Sequence, residues 1–195
     1  MSKLAWILLV AAAAAPAAPP ARILVAYHSE TGNTGKLATA VRDGAASVAG
    51  VEVLLRKTAD ATPDDITRAD GIVVGTPVHW QNLSADAKRF VDRVGEALGK
   101  AGKNWGDGRT AGVFCSAGNA GGGQEAARLS VIAAMLAMRF VIIGGVGDEG
   151  YGTLGPQAVT GGPAKGVSDR DRAEARRFGE RFARITLQLR AGAPR

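Results

Sequence analysis

From Arg22 onward the chain alternates short aliphatic runs with segments whose apolar residues recur at helical spacing. Runs of that kind suit strands buried on both faces, so the alternation predicts a parallel sheet covered by helices on each side. The strands are predicted at Ile23–Tyr27, Val51–Leu55, Gly71–Gly75, Thr110–Cys115 and Phe140–Ile143. Leu37, Val41, Ala45 and Val48 give one apolar face to a helix over Thr34–Ala49, with Gly50 as its stop. Pro63–Ala69 reads as a shorter helical connection, and Ser84 is placed to cap a helix that carries Phe90, Val91, Val94 and Leu98 and ends near Gly99. Gln124–Arg139 reads as an apolar helix buried against the sheet, and Phe178, Phe182, Ile185 and Leu189, spaced four, three and four, predict a last amphipathic helix. Right-handed crossovers and this element count predict an α/β fold with a doubly wound five-stranded parallel sheet, strand order 2-1-3-4-5.

In that order the first and third strands are neighbours and the winding reverses between them, which opens a crevice beyond their C-terminal ends. Three segments converge there. Ser29-Glu30-Thr31-Gly32-Asn33-Thr34 joins a strand directly to a helix start, where unpaired N–H groups and the helix dipole favour an anion. Ser29, Thr31, Asn33 and Thr34 can add donors for a phosphate, or can simply cap the helix. Lys36 does not make this a Walker A loop: Glu30 stands where that pattern needs Gly, and Leu37 where it needs Ser or Thr. The second segment, Thr76 to Leu83, holds a rigid Pro77, then Val78, the imidazole of His79 and the ring of Trp80. A planar ligand could stack there; alternatively Trp80 anchors the core and His79 is a surface residue. The third, Ser116 to Gly123, has no bulky side chain, so the backbone of Ser116, Ala117, Gly118, Asn119 and Ala120 can approach a ring edge-on. Its N–H groups would stabilise negative charge on a reduced ring.

Together the three segments suggest a flat cofactor with a phosphate tail. Gly145-Val146-Gly147-Asp148-Glu149-Gly150 spells G-x-G-x-x-G but is followed by more loop instead of a helix, so it is not a dinucleotide fingerprint; the long loop to about Val167 suits a lid or a subunit contact. Cys115 ends an apolar strand and reads as core. No Ser-His-Asp grouping is evident in the sequence and no catalytic side chain is assigned, so the cofactor must carry the chemistry.

The 195 residues are 46% apolar and 22% charged, enough for one domain over residues 21–190 with a tail at 191–195. One cysteine and two histidines leave no disulfide and no zinc site. The net charge of +6 comes largely from C-terminal arginines interleaved with acids, a solvated helix face without the basic-aromatic groove of a nucleic-acid binder. Residues 1–20 carry Lys3, an apolar run from Leu4 to Ala15 and small residues at Ala15-Pro16-Ala17, as in a secretory signal, which predicts export to the periplasm. A cytoplasmic location follows instead if the start is misplaced or the segment is a disordered tail. The run falls short of the roughly 20 residues that a membrane span needs.

SETGNT, GTPVHWQNLS with the helix after it, FCSAGNAGGGQE and GPQAVTGG together resemble the flavodoxin-like NAD(P)H:quinone oxidoreductases of the WrbA type, from Arg22 to Leu189. The resemblance implies a flavodoxin-like fold, bound FMN, two-electron transfer from NADH or NADPH to quinones, and a homodimer or homotetramer. It places the FMN phosphate against Ser29, Glu30, Thr31, Gly32, Asn33 and Thr34. The isoalloxazine falls between Pro77, Val78, His79 and Trp80 on one side and Ser116, Ala117, Gly118, Asn119 and Ala120 on another. The chain departs from the family at Thr31, often aromatic there, at Leu98, where a family Trp is aligned and Trp105 lies further on, and around Met138 and Arg139, where a family His stood. A one-electron carrier of the flavodoxin type and a non-enzymatic flavin-binding module are the alternatives. A pI near 9.9 argues against the acidic docking face such carriers present.

Overall fold

The predicted apolar runs become the central strands of a parallel sheet in a computed structural model that describes residues 19–102, 105–146, 152–161 and 166–192. Residues 1–18 of the candidate signal and Gly147–Gly150 of the G-x-G-x-x-G stretch lie outside the described residues. In chain order the elements are β1 (Ala21–Tyr27), α1 (Asn33–Ala46), β2 (Val51–Lys57), α2 (Pro63–Thr67), β3 (Gly71–His79), β4 (Asn82–Leu83) and α3 (Ala85–Lys100). They continue as β5 (Thr110–Ala117), α4 (Gln124–Ala137), β6 (Val141–Ile142), β7 (Gly145–Val146), β8 (Gly152–Thr153), β9 (Gln157–Val159) and α5 (Asp169–Gly192). The main sheet runs β2-β1-β3-β5-β6, all parallel. This is the predicted order 2-1-3-4-5, with the labels shifted by the short β4 that pairs back antiparallel on β3.

Side chains on β1 alternate between two cores. Leu24 and Ala26 join Ile66, Phe90, Val94, Leu98, Val131 and Met135 under α2, α3 and α4. Ile23 and Val25 join Leu37, Val41, Phe178 and Phe182 under α1 and α5. Glycine makes much of this packing possible by leaving space. A Cβ at Gly75 would lie 2.2 Å from the Phe114 ring, and one at Gly112 2.8 Å from Phe178. Where α1 crosses α5, a Cβ at Gly44 would meet the Arg176 carbonyl oxygen at 1.9 Å, and one at Gly179 would meet that of Val41 at 2.1 Å.

Most predicted boundaries move by one to three residues, and two larger differences change what borders the crevice. The run expected as a strand at Phe140–Ile143 forms only β6, because Phe140 turns inward against Gly106 and its N–H bonds the Met135 carbonyl at the end of α4. The edge beside β5 is shared instead: β6 pairs with Thr110 and Ala111, and β9 pairs with Cys115 to Ala117. The late loop therefore contributes a strand next to the crevice. β3 runs on to His79, so the segment expected as a loop from Thr76 is the end of a strand followed by a hairpin.

Candidate functional site

The segment between β1 and α1 brings its backbone to a helix start whose N-cap residue has no side chain to close it. Gly32 is the N-cap with φ of 86°, a conformation glycine adopts without strain, and its side chain position faces open space. Ser29 Oγ accepts from the Gly35 N–H at 3.2 Å and keeps its own hydroxyl proton to donate. Asn33 is buried and its amide donates to Thr31 Oγ1 at 3.3 Å. Thr34 Oγ1 and Ser116 Oγ are 2.8 Å apart and buried, so one hydroxyl donates to the other and one proton remains for a further acceptor. That bond ties the first segment to the third across the β1–β3–β5 face of the sheet.

The second segment ends in a two-residue turn. Val78 pairs with Leu83 and His79 with Asn82, leaving Trp80 and Gln81 at the tip with φ of 49° and 68°. Positive φ at both central residues is the requirement of a type I′ turn, normally met by Asn-Gly, so Trp-Gln holds strain here. Trp80 is fully exposed, which excludes the core-anchor alternative and leaves its ring at the rim of the crevice. A Cβ at Gly123 would lie 2.4 Å from Gln81 Cα, so the third segment packs directly on the hairpin. Ser116 and Ala117 belong to β5 and are buried, whereas Gly118, Asn119 and Ala120 are exposed beyond its end. Gln124, the first residue of α4, donates to the Asn119 carbonyl at 2.9 Å and so shapes this segment from below.

Residues that spacing did not single out complete the rim. His28 Nδ1 lies 2.8 Å from Ser84 Oγ, and His28 Nε2 lies 3.3 Å from Asp86 Oδ2. Ser84, His28 and Asp86 thus form the Ser-His-Asp grouping that their positions in sequence conceal. It is not nucleophilic machinery: Ser84 is wholly buried and its Oγ accepts from the Ala87 N–H as the N-cap of α3. With two carboxylates facing Nε2, the imidazole is assigned its proton there, and Ser84 donates to Nδ1. Glu30 Oε1 is 3.8 Å from His28 Nε2 and 3.9 Å from His79 Nε2, and the two rings meet edge to face at 5.8 Å between centroids. A hydrogen bond from Arg89 holds Asp86 below the usual carboxylate pKa, with the charges of Arg89, His28 and His79 acting in the same direction and burial opposing. The only advance sign of this cluster was that His28 adjoins Ser29 and that Asp86 follows the cap Ser84 by two residues.

Cys115 is buried, and burial pushes its thiol up to about 12, with Arg128 opposing. It is inert as a nucleophile. Trp105 packs beside Gly95 and Gly99 of α3 and precedes β5, so it lies toward the N-terminal end of the strands, opposite these three segments. It therefore does not replace, within one chain, the aromatic residue missing at Leu98. Among the described residues no group of His, Cys, Asp and Glu is placed to hold a metal ion, and no helix is long and apolar enough to cross a membrane.

A parallel sheet of this order, with a hydroxyl-rich helix start and a glycine-rich segment meeting at its switch point, defines the class of flavodoxin-like α/β proteins. Residues 21–147 match the family described as NADPH-dependent FMN reductase, and the chain belongs to that FMN-binding oxidoreductase family. A protein from Aquifex aeolicus (strain VF5) named flavodoxin is 37% identical over 165 residues, covering 83% of this chain and 85% of that one. The crystal structure of a WrbA-like flavodoxin from Agrobacterium tumefaciens superposes with a TM-score of 0.68 at 24% identity, over 87% of this chain and 99% of that one. A flavodoxin from the domain Archaea superposes with a TM-score of 0.65 at 22% identity, over 85% and 99%. Both structures show the same fold.

The donor and acceptor set fits FMN. The open start of α1 and the spare hydroxyl protons of Ser29 and the Thr34–Ser116 pair suit a phosphate. Among the described residues, Gln124 Oε1 and Gln157 Oε1 are buried without a hydrogen-bond partner, and both sit at elements bordering the third segment. Buried acceptors of this kind call for a donor, which ring N–H and ribityl hydroxyl groups provide.

Proposed function

We propose that this protein is an FMN-dependent reductase of the WrbA type that passes two electrons from NADH or NADPH to quinone acceptors, and that it works as a homodimer or homotetramer. FMN supplies the two-electron exchange between the nicotinamide and the quinone. Ser29 to Thr34 hold its phosphate, and Pro77 to Trp80 together with Ser116 to Ala120 border its ring. The observation that carries the reading is the Thr34–Ser116 hydrogen bond, which fixes the hydroxyl-rich helix start and the glycine-rich segment as one surface at the switch point. Trp80, wholly exposed at the tip of the neighbouring hairpin, offers a second planar partner a stacking face next to that surface. Positioning of two planar partners in sequence is the main contribution the protein can make to such a transfer.

The test is direct. The purified protein should show a flavin absorbance spectrum and should oxidise NADH or NADPH when benzoquinone is added. Protein that holds FMN but shows no quinone-dependent oxidation would favour the carrier reading, which the name of the Aquifex relative supports. Cell fractionation tests the exported location that the N-terminal segment suggests.

A further inference from the structure

Reduction of a quinone to a hydroquinone takes two electrons and two protons. A reduced nicotinamide nucleotide gives up two electrons and one proton, so the second proton comes from another source. The side chains placed at the three converging segments are mostly Ser, Thr, Asn, Gly, Ala, Pro and Val, none of which releases a proton near neutral pH. The ionisable side chains there are Glu30 and His79, with His28 beside them, and these two histidines are the only ones in the chain.

Resting on the quinone-reductase reading, we propose that His79 is the acid that delivers this second proton, and that Glu30 returns one to it from solvent. Glu30 stands between the two imidazoles, 3.9 Å from His79 Nε2 and 3.8 Å from His28 Nε2. Its side chain is 64% exposed, so it exchanges protons with water freely, and rotation of an exposed side chain closes either gap within nanoseconds. The two histidines are not equivalent. His28 is held by Ser84 and Asp86 and is only 16% exposed, whereas His79 is 37% exposed and adjoins Trp80 at the end of β3, where an acceptor arrives. The other charged groups around the pair are Asp86 and Arg89 of α3: Asp86 accepts from Arg89 at 2.5 Å and also faces His28 Nε2 at 3.3 Å, while Glu30 lies within 4 Å of both imidazoles. In the step, an O–H bond forms at the quinone oxygen as an N–H bond of the His79 imidazolium breaks. The neutral imidazole then regains a proton from water by way of Glu30. The net balance is one quinone, one reduced nicotinamide nucleotide and one proton consumed, with one hydroquinone and one oxidised nucleotide formed.

The experiment compares two acceptors on the FMN-loaded protein, with rates taken per bound flavin. Benzoquinone takes up protons with its electrons; ferricyanide takes one electron and no proton. His79→Gln should lower the quinone rate relative to the ferricyanide rate by at least about tenfold, and should remove a solvent deuterium effect seen only with quinone. Taking the ratio cancels any general loss of flavin seating. Independently of turnover, Glu30→Gln should displace the NMR resonances of both imidazoles, as expected of a shared carboxylate. Equal loss on the two acceptors, or no loss on either, would overturn the assignment while leaving the quinone-reductase reading in place. So would a Glu30→Gln spectrum in which the His79 resonance does not move. Wild-type protein that reduces ferricyanide but not quinone would overturn that reading, and this assignment with it.

Discussion

Cys115 has no role at the crevice, yet its burial on β5 leaves a measurable mark on stability. The thiol is pushed from 9.0 up to about 12, so above pH 9 the unfolded chain loses a proton that the folded chain keeps. Unfolding is favoured increasingly from pH 9 toward 12, and the contribution is absent below pH 9. Urea unfolding across this range should show a steeper alkaline loss of stability in the wild type than in Cys115→Ala. At Gly123 two penalties coincide: a side chain there would be strained at φ of 95° and would press on the Gln81 backbone. Gly123→Ala is expected to destabilise by about 2–4 kcal/mol, summing left-handed strain and overpacking, as read from denaturant midpoints. The close contact could not be foreseen, because nothing local to Gly123 announces the hairpin 42 residues earlier. Cys115 was legible as core because a strand apolar on both sides leaves few other places for it. The His28–Ser84–Asp86 cluster was not, because side chains 56 residues apart meet only once β1 and β3 pair.

At the scale of elements, periodicity located every long helix, and its errors follow from what it cannot weigh. The α5 stripe of Phe178, Phe182, Ile185 and Leu189 is rotated in the fold, so that Ala175, Gly179, Ala183 and Thr186 are buried while Ile185 and Leu189 are only partly covered. Small residues win the inner face because α1 approaches closely enough for backbone contact, and a count of large apolar residues overlooks that. Gly179→Ala should therefore separate the two helices and destabilise by about 1–3 kcal/mol in chemical denaturation, although alanine is the better helix former. An increase in stability would mean that the crossing is looser than the 2.1 Å approach indicates. The hairpin of β3 and β4 escaped detection for the opposite reason. Trp80-Gln81 lacks the Asn-Gly chemistry that marks a two-residue turn, and Pro77 argues against a strand; tertiary pairing of Pro77 with Ser116 on β5 overrides both.

For the whole molecule, the strand order determines which distant segments share a surface, and apolar runs with crossovers of the right length were enough to infer that order. The late loop was less legible: its length suggested a lid or a subunit contact, and nothing in its pattern announced that β9 adds to the sheet edge and that the Thr160 N–H bonds the Ala117 carbonyl at 2.8 Å. A ligand that bridges segments separated so widely in the chain must stabilise the fold as a unit. Free FMN at about 100 times its Kd should raise the unfolding free energy by about 2.7 kcal/mol, through binding to the folded state alone. Riboflavin at the same concentration tests which end of the ligand matters. On the proposed placement it presents the same ring to Trp80 and to the third segment but no anion to the start of α1, where Ser29 and the Thr34–Ser116 pair keep hydroxyl protons to donate. Its stabilisation, measured by thermal or urea unfolding, should be much the smaller of the two. Equal stabilisation by both flavins would move the phosphate away from Ser29–Thr34 and leave the ring contacts to account for binding.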